Sequence, residues 1–116
     1  MSRNVGEFEQ LLLFAILRLE KDAYGVTIRR EIEERTGRAV SAGAVYTGLE
    51  RLEAKALVAS DVGGAEPARG GRRKRYYRLE PEGAAALQAA YREVQVMAEG
   101  VAGKLASMAV GAAFGE

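Results

Sequence analysis

Apolar positions in the N-terminal part of the chain recur at spacings of three and four. Phe8, Leu11, Leu12, Ala15, Ile16 and Leu19 therefore share one face of a first helix. Asn4 with Glu7 three residues later reads as the capping box that starts it. Leu13, Phe14 and Leu17 lie off that stripe, so the helix is apolar around most of its circumference and calls for cover from the core and from a partner. Asp22 is placed to cap a second helix, from about Ala23 to Thr36, with Tyr24, Ile28 and Ile32 on its buried face. Gly37 falls where a left-handed C-terminal cap is needed. Ser41 caps a third helix anchored by Val45, Leu49 and Leu52, and its other face carries Ala42, Gly43, Tyr46, Thr47, Glu50 and Arg51.

The period then changes. Leu57 to Ser60 reads as a short strand, and Arg75 to Leu79 as a second, with Tyr77 and Leu79 inward and Tyr76 and Arg78 outward. Between them Gly63-Gly64, Pro67 and Gly70-Gly71 supply abundant turn chemistry. From Pro81, which suits a first helical position, Ala84, Leu87, Tyr91, Val94, Ala98, Val101, Leu105 and Met108 alternate spacings of three and four. That is a heptad seam in one long helix, which either folds back on its own domain or packs on a second copy, and its length favours the second. The chain divides into residues 1–79, a winged helix-turn-helix unit, and residues 80–116, a C-terminal dimerisation helix with a frayed tail. The fold class is mostly α, an α+β winged helix with a two-stranded hairpin wing.

Composition removes several function classes. The 116 residues include no cysteine and no histidine, which excludes thiolate metal sites, disulfides and histidine-dependent nucleophilic catalysis. The expectation is a protein that is not an enzyme and has no cofactor or metal. The apolar run Leu11 to Leu17 follows Glu7 and Glu9 rather than basic residues, so it does not read as a signal peptide, and no stretch is long enough for a membrane span. A cytoplasmic location is expected.

Charge is distributed unevenly. Arg69, Arg72, Arg73, Lys74, Arg75 and Arg78 crowd one hairpin; the other 11 basic residues face 16 acids, a net of −5. A mildly acidic body with one cationic arm fits a nucleic-acid contact, although a solvated loop has the same composition. The order of elements adds weight. Three helices followed by a glycine-rich basic hairpin is the winged-helix order, with the third helix entering the major groove by its N-terminal end. Small residues at Ala42, Gly43 and Ala44 permit close approach, and Tyr46 and Thr47 offer hydroxyls.

The strings Gly6-Glu7-Phe8-Glu9-Gln10-Leu11, Asp22-Ala23-Tyr24-Gly25-Val26, Val40-Ser41-Ala42-Gly43-Ala44-Val45-Tyr46, Leu49-Glu50-Arg51-Leu52-Glu53 and Gly70 to Leu79 resemble the PadR-type transcriptional regulators, in their short form with a single C-terminal helix. The resemblance implies a homodimeric repressor on a palindromic stretch of double-stranded DNA. It puts Tyr24, Ser41, Ala42, Gly43, Tyr46, Thr47 and Arg51 at the DNA face, and Arg69, Gly70, Gly71, Arg72, Arg73, Lys74 and Arg75 in the wing contact. Phe8, Leu12, Leu87, Tyr91, Val94, Ala98, Val101, Leu105 and Met108 are the expected dimer interface. Some members of the family bind flat aromatic molecules; Tyr91, Phe8 and Phe14 are the aromatic liners available here. Three positions depart from the family pattern: Gly48 inside the third helix, Ala56 in place of a capping glycine, and Glu80 before Pro81. Two rival classes remain: a basic RNA-associated protein, disfavoured by a third helix without lysine clusters and by the heptad seam, and a winged-helix protein-interaction adaptor without DNA.

Overall fold

In the computed structural model, which describes residues 4–63 and 73–113, the helices are α1 (Glu7–Leu19), α2 (Gly25–Thr36), α3 (Ala42–Ala54), α4 (Pro81–Ala98) and α5 (Ala102–Ala113). A 3-10 turn (Glu20–Asp22) links α1 to α2, and strands β1 (Val58–Val62) and β2 (Arg75–Leu79) lie between α3 and α4. The strands are antiparallel, with Val58 opposite Leu79 and Val62 opposite Arg75.

Helices α1, α2 and α3 pack mutually, and α4 lies across α1 and β2. Leu12, Leu13, Ile16, Ile28, Val45, Leu49, Leu52 and Leu57 are fully buried between them. Each such side chain contributes about 1.5–3 kcal/mol relative to exposure, so the three-helix core dominates stability. Lys55 Nζ stands 2.8 Å from Glu9 Oε1, and this half-buried ion pair ties the start of α1 to the end of α3.

The helix starts differ in detail from the sequence expectation. Gly6 rather than Asn4 is the N-cap of α1, and its amide donates to the Glu9 carboxylate at 3.1 Å, so Glu9 takes the role expected of Glu7. Helix α2 begins two residues after Ala23, because Asp22 is used in the 3-10 turn; the Tyr24 amide donates to Thr27 Oγ1 at 3.0 Å instead. Ser41 caps α3 as expected, its Oγ accepting from the Ala44 amide at 3.0 Å. Gly37 takes the left-handed conformation, φ 75°, at the end of α2.

All three departures have a visible structural outcome. A Cβ at Gly48 would collide with the Leu12 side chain, so this glycine lets α1 and α3 pack closely. Ala56 adopts φ 62°, a left-handed cap without glycine. The Leu57 amide donates to Leu52 O and the Ala56 amide to Glu53 O, the paired bonds of a Schellman motif. Glu80 makes no side-chain cap for α4; its amide donates to Leu57 O at 3.0 Å, and Pro81 opens the helix.

The C-terminal segment is two helices, not one. Glu99 is extended and Gly100 is left-handed at φ 81°, so the heptad seam is interrupted between Ala98 and Ala102. The inward residues of α4 are Gly83 and Leu87, while Ala84 is exposed. Side chains 102–112 of α5 are all exposed. The radius of gyration is 17.2 Å, against about 13 Å for a compact chain of this length. The end of the molecule projects.

Candidate nucleic-acid interface

The face of α3 opposite the core is presented whole. Ser41, Ala42, Gly43, Tyr46, Thr47 and Arg51 are all exposed. Gly43, Thr47 and Arg51 follow one another at steps of four, one row on the helix, and Ala42, Tyr46 and Glu50 form the neighbouring row. The first turn of α3 contains no acidic residue, and Ser41 Oγ takes only the Ala44 amide, which leaves the positive dipole end of the helix uncompensated from within the helix.

The root of the wing sits beside the start of α2. The Tyr77 amide donates to Ala23 O at 2.8 Å and Tyr24 bridges to Tyr76, so a third backbone segment is added to the two strands. The rings of Tyr24 and Tyr76 meet edge to face at 5.4 Å. Lys74 Nζ lies 4.5 Å from the centroid of the Tyr24 ring. Tyr77 and Leu79 point inward and Arg78 outward, as the alternation predicts; Tyr76 is half-buried. The Tyr77 hydroxyl is held above its ordinary range, first by burial and then by the charge of Glu53. It stays protonated and belongs to the core.

Cations sort into two groups. Arg18, Arg29, Arg35, Arg38, Lys55 and Arg78 are paired with carboxylates. Arg51, Arg73 and Lys74 form no ion pair with another described residue, and neither do Lys21, Arg30, Arg92 and Lys104 elsewhere on the surface. Arg75 donates to Ser60 Oγ at 3.0 Å, and Ser60 donates to Glu53, so this side chain is braced against the strand and α3. Arg69, Gly70, Gly71 and Arg72 lie outside the described residues.

The residues expected at a dimer surface divide between the protomer's interior and its exterior. Leu12 and Leu87 are buried inside the protomer, 0% and 4% exposed, and are core rather than interface. Phe8 is half-buried near Gly48 of α3, with the Arg38 guanidinium over its ring at 5.8 Å, so it belongs to the α1–α3 contact. Leu13 is also core, and Phe14 packs edge to face on Tyr91 at 5.8 Å, which leaves Leu17 as the uncovered member of that trio. Tyr91, Val94, Ala98, Val101, Leu105 and Met108 are exposed. Phe8 and the Phe14–Tyr91 pair sit apart, so the three aromatic liners do not converge on one pocket.

Gly25 and Gly63 carry packing that the sequence did not reveal. A Cβ at Gly25 would stand 2.7 Å from the Tyr46 hydroxyl, and one at Gly63 would stand 2.6 Å from the Tyr76 ring. The Tyr24-Gly25 pair was visible as a string, but its role needs the partners that only the fold supplies.

A three-helix core with a strand pair rooted beside an exposed, acid-free helix start defines a winged helix-turn-helix of the transcription-regulator class. Residues 13–89 match the Transcriptional regulator PadR-like family, and the chain belongs to that family. A PadR family transcription regulator from Clostridium difficile R20291 is similar, at 29% identity and TM-score 0.66 over 84% of this chain and 98% of that one. A PadR-like transcriptional regulator from Bacillus cereus shares the fold at 20% identity and TM-score 0.69, over 84% of this chain and 90% of that one. A PadR family regulator from Eggerthella lenta does so at 24% and 0.65, over 85% and 86%. No curated protein sequence matches. Membership makes the protein a DNA-binding transcription regulator. Among the described residues no group of His, Cys, Asp or Glu could hold a metal ion, and no helix is long and apolar enough to cross a membrane.

Proposed function

We propose that the protein is a cytoplasmic repressor that binds a palindromic operator as a homodimer, with α3 in the major groove and the wing along the flanking minor groove. The observation that carries this reading is the placement of the exposed α3 face, with Arg51 outside any ion pair, next to a wing root bearing Arg73 and Lys74, neither of them matched by a carboxylate of another described residue. Phosphate contacts position and base-edge contacts specify. The arginines of the wing supply affinity on any sequence, while Tyr46 and Thr47 offer the hydroxyls that touch base edges. Ser41, Ala42 and Gly43 let the helix start approach a phosphate. Tyr24 stands at the edge of the same face.

The second copy is supported by the apolar side chains left uncovered. Val94 is 61% exposed, Leu105 67% and Met108 69%, on a projecting segment that a monomer leaves wet. Tyr91, Ala98 and Val101 continue that surface.

A mobility-shift assay with the promoter region of the protein's own operon tests the reading. A shifted band whose sequence preference changes in Tyr46→Ala supports it. A protein that retards no duplex, or retards all duplexes alike before and after that substitution, would show that α3 does not read sequence.

A further inference from the structure

Two elements expected to touch DNA, α3 and the wing, share no strand or helix, yet both rest on the first residues of α2. Tyr46 of α3 lies against Gly25, close enough that a Cβ there would stand 2.7 Å from its hydroxyl oxygen. One residue earlier, Tyr24 holds the wing by four contacts. Its backbone bridges to Tyr76, its ring meets the Tyr76 ring edge to face at 5.4 Å, its ring seats the Lys74 ammonium at 4.5 Å, and its hydroxyl lies 3.5 Å from the same ammonium. Just past the end of β1, Gly63 leaves room for the Tyr76 ring, which a Cβ would meet at 2.6 Å, and its amide donates to Lys74 O at 2.7 Å. The wing root is therefore clamped to the abutment on which the reading helix also leans.

We propose that Tyr24, Tyr76 and Gly63 are positioning residues that fix the wing relative to α3, with the Tyr24-Gly25 step as their common reference. The inference rests on the reading of this hairpin as a DNA-contacting wing, because only then does the angle between wing and α3 matter to binding. Edge-to-face rings and a cation over a ring are directional contacts. They suit a role in setting an angle better than a merely apolar patch would. Lys74 is held at the clamp by its ammonium over the Tyr24 ring, which leaves Arg73 as the first described cation beyond it.

The chain contains no cysteine, so a pair of spin labels can be placed at Glu50→Cys on α3 and Arg73→Cys at the wing root without interference. Labelled protein diluted with unlabelled protein gives the intramolecular distance by pulsed electron-spin resonance. One narrow distance is expected in the parent. Tyr24→Ala and Tyr76→Ala should each raise a detached population roughly tenfold, with Tyr24→Phe and Tyr76→Phe restoring the narrow peak. Gly63→Ala, which keeps both tyrosines but displaces the Tyr76 ring, should shift or broaden the distance as well, and circular dichroism identifies any variant that has unfolded. If folded alanine variants and Gly63→Ala all keep the parent distance, the clamp does not position the wing. If the phenylalanine variants broaden it as much as alanine, the rings are not the holding element and the proposal fails too. A parallel titration of Tyr76→Ala on a mixed-sequence duplex should give a shallower salt slope than the parent, since a detached wing meets fewer phosphates; an unchanged slope overturns the link to binding. Should the parent bind no duplex, the DNA reading falls, while the distance measurement still decides the clamp.

Discussion

Ala56 is an alanine where the backbone asks for glycine. At φ 62° its Cβ crowds the following carbonyl, a conformation that costs an L-residue roughly 1–2 kcal/mol. Ala56→Gly removes that strain but enlarges the freedom of the unfolded chain, an offset of about 0.4–1 kcal/mol. The net expectation is a stabilisation of about 0.5–1 kcal/mol in urea unfolding. Gly83 presents the opposite case. A Cβ there would run into the backbone carbonyl of Leu57, which itself accepts from the Glu80 amide. Neither group can move without disturbing the junction of α3, β1 and α4, so Gly83→Ala should cost about 3 kcal/mol, read by the same unfolding curve. Neither residue's constraint could be derived from spacing. Ala56 departs visibly from the family pattern, but its conformation depends on two amide hydrogen bonds closing the end of α3, and Gly83 carries no sequence signal.

At the scale of elements, helices with caps and regular periods were the most legible part of the chain. Val45, Leu49 and Leu52 are buried as their period requires, and the strand alternation around Tyr77 holds. Legibility failed where a local pattern had two uses. The heptad spacing in the last segment is real, but Leu87 serves the protomer's own core and Gly100 divides the remainder. Leu12 failed likewise, because the small volume at Gly48 draws it under α3. The candidate site was readable at the level of which helix and which hairpin, and not at the level of the Tyr24–Tyr76 contact, which joins residues far apart in sequence. Val94 and Val101 are 61% and 45% exposed, so aspartate at both leaves the protomer's core untouched. Val94→Asp with Val101→Asp should yield folded monomers by sedimentation velocity; a persisting dimer would move the interface elsewhere.

For the whole molecule, affinity should be governed by phosphates. With about four contacts per protomer, the dimer's log-log salt dependence should have a slope near −7, from about −0.9 per contact. A flat titration would remove the wing from the account. Replacing Arg72, Arg73 and Arg75 together by alanine should weaken binding to every duplex alike and flatten that slope. Half-sites should lie about one helical turn, ~34 Å, or a multiple of it apart, as footprinting would show.

The division of the cations into paired and unpaired groups bears on how such a protein finds its site. On α2 and in the following turn Arg29, Arg35 and Arg38 are held by Glu33, Glu31 and Glu7, while Arg30 is left outside these pairs, and the body as a whole is acidic once the hairpin is set aside. With the hairpin as the DNA contact, such a molecule should be drawn to the duplex most strongly from the hairpin side. On the proposed reading, encounters made back-to-front should dissociate quickly, and those that last should have α3 turned toward the groove. One-dimensional sliding should then proceed with the reading face inward, and little of the search should be lost to tumbling on the DNA.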